Sequence, residues 1–102
     1  MAKILISPEA KHDMLETKEY ITEELGSPIA AKNVLDKITK QISKLSDFPK
    51  IGAPLSSITD IETDYRFLVC GNYTAFYRYF DDTVFIDRIL YGKRDFVRIL
   101  FD

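Results

Sequence analysis

The sequence predicts an α+β fold in which an N-terminal strand and an α-helical hairpin pack on a mostly antiparallel β-sheet. Three observations predict this fold: two Ser-Pro pairs that each precede an apolar stripe at helical spacing, three aromatic-rich segments with strand character, and turn residues between those segments. A chain of 102 residues, 46% of them hydrophobic, has enough apolar side chains for one core. We therefore expect a single domain over residues 1–102.

Two amphipathic helices are predicted in the first half of the chain, after a short strand over residues 2–7. Ser7-Pro8 and Ser27-Pro28 each supply a capping hydroxyl and a proline whose φ angle suits the first helical turn. A stripe then recurs every three or four positions: Met14, Leu15, Lys18, Ile21 and Leu25 in the first helix, and the apolar residues Ala31, Val34, Leu35, Ile38, Ile42 and Leu45 in the second. Gly26 suits a left-handed helix end, so the two helices should form an antiparallel hairpin.

Three strands are predicted over residues 65–70, 73–80 and 83–90, because these segments are rich in aromatic and β-branched residues. Gly71-Asn72 and Asp81-Asp82 provide short turns, so we expect an antiparallel meander that the helical hairpin covers on one face. The preceding segment FPKIGAPLSSI, with two prolines and a glycine, predicts a loop. The periodicity of the tail, RDFVRILFD, does not decide between a final helical turn and an edge strand.

Composition argues against several kinds of function. The hydrophobic runs are too short to cross a bilayer and MAKILIS turns polar within seven residues, so we expect a cytoplasmic protein without membrane contact. One histidine, one cysteine and no clustered carboxylates predict no metal site, and without a glycine-rich phosphate loop we expect no cofactor. A pI near 5.4 argues against a general nucleic-acid coating protein. Cys70 is interpreted as a small core residue.

The arginines indicate where a site should lie. Residues 1–50 contain eight lysines and no arginine, whereas all five arginines lie in residues 51–102. Arginine binds phosphate and carboxylate through two hydrogen bonds. Alternation along the strands could bring Arg66, Arg78 and Arg88 to one face of the sheet, with Lys93 and Arg94 overhanging that face. The alternative is that the arginines form ordinary surface salt bridges with Asp64, Asp87 and Asp95.

The order of these elements, together with several short motifs, resembles a known family. The motifs are Tyr65-Arg66, Gly71-Asn72-Tyr73, Phe76-Tyr77 and the Gly92-Lys93-Arg94-Asp95 ending. They look like the RelE/ParE superfamily of bacterial toxins from type II toxin-antitoxin modules, and the resemblance runs from Ala2 to about Phe101. It implies a growth-inhibiting toxin that a short antitoxin wraps, through a helix and an extended segment, and neutralises.

Within the superfamily, the residues resemble the ParE-like branch, which poisons DNA gyrase. RelE-like members are ribosome-dependent mRNA endoribonucleases that hold the phosphate with basic residues and use a C-terminal tyrosine or histidine for proton transfer. This chain has Thr74 where those nucleases place an arginine, and Phe96 and Phe101 where a catalytic tyrosine is wanted. Whether the chain is an enzyme is left open, and the candidate catalytic residues are Arg94, Tyr91 and Arg66.

Partner-binding residues are predicted from the same regions. The expected target-binding residues are Arg66, Arg78, Arg88, Lys93 and Arg94. The apolar tail is expected to bind the antitoxin through Phe96, Ile99, Leu100 and Phe101, because so small a core should leave aromatic surface exposed. The expected partners are a cognate antitoxin, with which a hetero-oligomer would form, and either DNA gyrase or the ribosome and mRNA. A non-toxic degenerate binding module is the alternative from another functional class.

Overall fold

The computed structural model describes all residues, 1–102, and contains three α-helices and one five-stranded sheet. The helices are α1 (Pro8–Glu24), α2 (Pro28–Ser43) and α3 (Phe96–Phe101). The strands are β1 (Lys3–Ile6), β2 (Ala53–Pro54), β3 (Arg66–Cys70), β4 (Tyr73–Phe80) and β5 (Thr83–Tyr91). The strand order is β1-β5-β4-β3-β2, and only the β1–β5 pair is parallel. The predicted α+β architecture with a mostly antiparallel sheet is confirmed. None of the helices combines the length and apolar character that a membrane span requires.

Both predicted helix starts are present. The Ser7 hydroxyl accepts a hydrogen bond from the Ala10 N–H at 3.0 Å, and the Ser27 hydroxyl accepts one from the Ala30 N–H at 3.1 Å. These bonds satisfy donors that the first helical turn leaves free. Gly26 has a φ of 61°, so the chain reverses between α1 and α2 and the helical hairpin forms.

The two predicted turns connect β3, β4 and β5 into the expected meander. Asp81 and Asp82 have φ values of 53° and 54°, which is the conformation of a hairpin turn whose twist matches that of the strands. Aspartate tolerates this left-handed region better than most residues do. Gly71 has a φ of 66° at the other turn. The observed strand bounds differ from the predicted ones by one residue at most.

The helical hairpin covers one face of the sheet. Ile38 and Ile42 of α2 pack with Tyr77 of β4 and Ile86 of β5 in the main core, and Ile38, Tyr77 and Ile86 are fully buried. Cys70 lies in the same core, and burial raises the pKa of its thiol to about 11. The interpretation of Cys70 as a small core residue is confirmed, because a buried thiol of this kind is not a thiolate at neutral pH.

The tail is a helix, and it covers the opposite face of the sheet. Phe96 of α3 stacks on Phe76 of β4 at a centroid distance of 5.7 Å, and Phe101 meets the Tyr65 ring edge-on at 5.7 Å. Leu90 completes this second, smaller core. The sheet is therefore covered on both faces, whereas the sequence predicted a cover on one face only. Phe76 and Leu90 bury apolar surface on that second face, and this burial selects the helix over an edge strand.

Two isoleucines of α2 test the packing of the helical hairpin. Ile38 is fully buried and Ile29 is 74% exposed. We expect Ile38→Ala to lower the free energy of unfolding by about 2–5 kcal/mol, because it removes buried methyl groups and leaves a cavity. Ile29→Ala should change it by less than about 0.5 kcal/mol. Urea unfolding followed by circular dichroism measures both values, and equal losses would contradict the packing described above.

Candidate functional site

A groove of about 1080 Å³ lies between α1, the end of β5 and the segment that leads into α3. We call it the α1–β5 groove. Its apolar lining includes Tyr20, Ile21, Leu25, Val34, Tyr73, Ile89, Leu90, Tyr91 and Ile99. Its charged lining is Asp13, Glu16, Arg88, Arg94, Asp95 and Arg98. Large apolar side chains of the groove stay open to solvent, among them Tyr20, Leu25 and Tyr91. An elongated apolar surface with charged borders suits a segment of another protein.

An ion pair forms part of the groove and joins α1 to the sheet. The Arg88 guanidinium donates to both carboxylate oxygens of Asp13, from Nε at 2.8 Å and from Nη2 at 2.7 Å. The backbone N–H of Ile89 donates to the same carboxylate at 2.9 Å. The Asp13 side chain is only 6% exposed, and its hydrogen bond to Arg88 raises the pKa of that guanidinium. Arg88 is thus held by an internal partner.

The end of β5 has no neighbouring strand on the side of β1. The parallel neighbour β1 pairs only with residues Thr83–Ile86, whereas β5 continues to Tyr91. Beyond β1, the Asp87 carbonyl accepts from the Ser7 hydroxyl at 2.8 Å and the Ile89 N–H is bound by Asp13. Leu90 and Tyr91 follow along the groove. An edge of this kind can pair with an extended segment of a partner.

Arg78 is engaged within a polar cluster on the sheet. Its Nε donates to Asp87 at 3.0 Å, its guanidinium lies 5.3 Å from the Tyr65 ring centroid, and the Tyr65 hydroxyl donates to Asp87 at 2.6 Å. Burial, followed by this bond to Asp87, raises the pKa of the Tyr65 hydroxyl to about 12. The salt-bridge alternative is therefore correct for Arg78 and Asp87. Asp95 also forms an ion pair, with Arg98 at 3.3 Å.

Arg66 is bound to the loop before β2. Its Nη1 donates to the Gly52 carbonyl at 2.7 Å and to the Lys50 carbonyl at 3.3 Å. Arg66 pairs across the sheet with Tyr77, so it shares the face of Tyr77, and Arg78 as the next residue points to the other face. The expected convergence of Arg66, Arg78 and Arg88 on one face is wrong, because strand alternation separates the first two and each of the three has an internal acceptor.

Two of the three candidate catalytic residues lie together. Tyr91 and Arg94 both line the α1–β5 groove and are exposed, and the Tyr91 ring meets Tyr73 edge-on at 5.4 Å. Arg66 pairs with Tyr77 of β4, whereas Tyr91 pairs with Tyr73. Tyr73 and Tyr77 are four residues apart along β4, so Arg66 and Tyr91 are separated by about 13 Å along the strands. One phosphate group could not contact all three. Thr74, which replaces the nuclease arginine, is buried and offers no group to a ligand.

The remaining predicted residues are divided between two surfaces. Lys93 is exposed, with its Nζ 5.2 Å from the Phe67 ring centroid. Ile99 lines the groove, whereas Phe96, Leu100 and Phe101 pack against the second face of the sheet. Their role in antitoxin binding stays a prediction, as does the role of the cations in target binding. No group of three or more histidine, cysteine or acidic side chains is placed to hold a metal ion.

Sequence reasoning missed Asp13 and, with it, the groove. The predicted stripe of α1 contained Leu15 and Leu25, which are exposed, whereas the buried stripe is Ala10, Asp13, Thr17 and Ile21. The signal was present in the sequence, since these four positions have the spacing of one helical face. A carboxylate on a buried helix face requires hydrogen-bond donors, and an arginine such as Arg88 can provide them.

Removing the Asp13 carboxylate should destabilise the fold. In Asp13→Ala, the Arg88 guanidinium and the Ile89 N–H lose their acceptor. We expect a loss of about 3 kcal/mol in the free energy of unfolding, at the low end for a broken buried pair because Arg88 is 28% exposed. The control is Asp36→Ala, which breaks an exposed pair with Lys32 on α2 and should cost less than about 0.5 kcal/mol. Urea unfolding separates the two, and similar losses would refute a structural role for Asp13.

Comparison with known proteins identifies the family. The family model described as ParE toxin of type II toxin-antitoxin system, parDE, matches residues 4–96. A solved structure described as the chromosomal ParDE TA system from P. aeruginosa has a TM-score of 0.74, with 20% sequence identity, over 90% of this chain and 97% of that one. At this identity the likeness shows the fold. No curated protein sequence gives a significant match. Because the family model covers nearly the whole chain, the resemblance to the RelE/ParE superfamily is confirmed, and the protein belongs to the family of ParE toxins of type II toxin-antitoxin systems.

Proposed function

We propose that this ParE-like toxin stops growth by binding DNA gyrase, and that a cognate antitoxin neutralises it by occupying the α1–β5 groove. The observation that carries the proposal is the family match over residues 4–96. In this proposal the toxin, the antitoxin and the target meet in the cytoplasm. The toxin acts there through contacts and breaks no bond.

The positions of the candidate catalytic residues support action by contact. Cleavage of RNA through its 2′-hydroxyl needs a base, an acid and stabilisation of charge on the phosphate. Arg94 could supply the last of these and the Tyr91 hydroxyl could donate a proton, but Arg66 lies on β3, where it is bound to the Gly52 carbonyl. Buried Thr74 adds no basic group. The three candidate catalytic residues therefore do not surround one point, which supports action by contact.

The α1–β5 groove has the features expected of an antitoxin site. An amphipathic helix could place its apolar stripe against Tyr20, Leu25 and Ile99, which line the groove. An extended segment could pair with the end of β5 beyond Ile89, where β1 no longer lies beside it. Phe96, Leu100 and Phe101 would act indirectly, because they hold α3 against the sheet and so position Ile99. A toxin–antitoxin hetero-oligomer is the expected assembly.

Target binding is proposed to depend on the exposed cations. Lys93 and Arg94 are the exposed members of the predicted set, whereas Arg66, Arg78 and Arg88 are bound to internal acceptors. Arg94 lines the same groove as the proposed antitoxin site. An antitoxin in the groove would cover Arg94, and this gives neutralisation a direct physical basis.

Inducing the toxin without its antitoxin tests the target. We expect the wild type to arrest growth and to inhibit supercoiling by purified gyrase, with no mRNA cleavage in a translating extract. Arg94→Ala should weaken both effects in a graded way, by about 1–3 kcal/mol for one charge-assisted contact. Tyr91→Phe and the exposed control Lys32→Ala should behave as wild type, because neither supplies a charged contact to the target. Codon-specific mRNA cuts that vanish in Arg94→Ala or Tyr91→Phe would establish a ribonuclease instead.

Two exposed leucines, one inside the groove and one outside it, test the antitoxin site. Leu25 lines the groove and Leu15 does not, and both are exposed. We expect Leu25→Asp to lose binding of the antitoxin encoded beside the toxin gene, because the substitution places a charge in the apolar contact. Leu15→Asp should retain binding. Pull-down and titration calorimetry measure the difference, and equal binding by the two variants would place the antitoxin elsewhere.

A further inference from the structure

An exposed turn between α2 and β2 presents two large apolar side chains. The Ile51 N–H donates to the Phe48 carbonyl at 3.1 Å, which closes a four-residue turn through Pro49 and Lys50. Phe48 is 63% exposed and Ile51 is 54% exposed. We call residues 48–51 the Phe48–Ile51 turn. It contributes neither side chain to the two cores.

The Phe48–Ile51 turn is held in place by two side chains of the sheet. The buried Tyr77 hydroxyl donates to the Pro49 carbonyl at 2.8 Å and accepts from the Gly52 N–H at 3.0 Å. Arg66 donates to the carbonyls of Lys50 and Gly52. Four backbone groups of one short loop are thus fixed by hydrogen bonds from the sheet. The apolar side chains are presented on a rigid support.

Gly52 shows how closely this loop lies against the sheet. A Cβ at Gly52 would lie 2.6 Å from the Phe67 carbonyl oxygen and 2.7 Å from the Tyr77 hydroxyl oxygen. Only a residue without a side chain fits this approach. The loop cannot move toward the sheet to bury Phe48 or Ile51, so their exposure is a fixed property of the fold.

We propose that the Phe48–Ile51 turn is a preorganised contact for the protein that the toxin inhibits, and that Phe48 and Ile51 enter an apolar pocket with an acidic rim. The inference rests on the proposed function, in which the toxin acts by binding a protein. A rigid turn loses little conformational entropy on binding, which favours affinity. A central aromatic anchor beside an aliphatic one is a common arrangement at the energetic centre of protein interfaces.

Charge and position identify the kind of partner. Residues 40–50 contain three lysines, Lys40, Lys44 and Lys50, and one acid, Asp47, in a chain that is acidic overall. An acidic rim on the partner would complement these charges. Ile51 adds nothing to base stacking, so a protein pocket is favoured over a nucleic acid.

The partner of the turn is distinct from the antitoxin. The turn leads into β2 at one edge of the sheet, whereas the α1–β5 groove lies beside β5 and β1 at the other edge. An antitoxin segment in the groove therefore leaves the turn free.

Serine substitutions in the turn test this inference. We expect Phe48→Ser/Ile51→Ser to keep the thermal unfolding temperature and the antitoxin affinity of the wild type, while growth arrest is lost and binding to purified gyrase weakens at least about tenfold. The single variants should each lose part of the effect. The control Ile29→Ser changes an isoleucine on α2 that is 74% exposed, more than Ile51, and should remain fully toxic. Tyr77→Phe removes the hydroxyl that holds the turn without changing the exposed side chains of the turn. It should lower the affinity for gyrase by less than the double variant does.

Three results would overturn the inference, and each is distinct from failure of the proposed function. The double variant could arrest growth as the wild type does, which would show that the turn is not needed. It could lose antitoxin binding while still folded, which would assign the turn to the antitoxin. It could lose binding to a single-stranded RNA that the wild type binds, which would assign the turn to nucleic acid. A wild type that does not arrest growth would instead refute the proposed function.

Discussion

The carboxylate of Asp13 is the point on which the arrangement of helices and sheet depends. It accepts hydrogen bonds from Nε and Nη2 of Arg88 and from the N–H of Ile89, and so joins α1 to β5 just beyond the end of β1. A charge at 6% exposure is tolerated only because three donors satisfy it. The same contact occupies the first free donor on the edge of β5. It thereby determines where the helical hairpin stops covering the sheet and where the α1–β5 groove begins.

The faces and the edges of the sheet have different tasks. Both faces are used for stability, one by the helical hairpin and the other by the aromatic residues of α3. The two proposed binding surfaces lie at the edges, where the end of β5 has no neighbouring strand beside the groove and β2 is only two residues long. Under these proposals a small protein with little core to spare would bind two partners, because neither partner has to displace packed side chains.

The arginines show why residue type is a weak guide to role. Arginine suits an anion of a ligand, and it suits a carboxylate or carbonyl of the same chain equally well. In this structure Arg88 and Arg78 bind carboxylates, and Arg66 binds two carbonyls of the loop that presents Phe48 and Ile51. Under the proposed role of the turn, Arg66 would affect target binding through the position of the turn. Its removal would then change affinity without removing a direct contact.

The sequence by itself determined the features that depend on neighbouring residues. Ser-Pro pairs began both helices, Gly26 adopted the predicted left-handed conformation, and Gly71-Asn72 and Asp81-Asp82 formed the predicted turns. Local rules succeed here because caps and turns are formed by residues within a few positions of one another.

Only the tertiary structure decided which residues meet across the chain. Arg88 and Asp13 are 75 positions apart, and no periodicity within either element pairs them. The helical state of the tail depended on Phe76 and Tyr65, which offered apolar surface for Phe96 and Phe101. The parallel pairing of β1 with β5 likewise joins segments from the two ends of the chain. Burial and hydrogen-bond satisfaction over the whole fold determine contacts of this kind, so a local sequence pattern does not predict them.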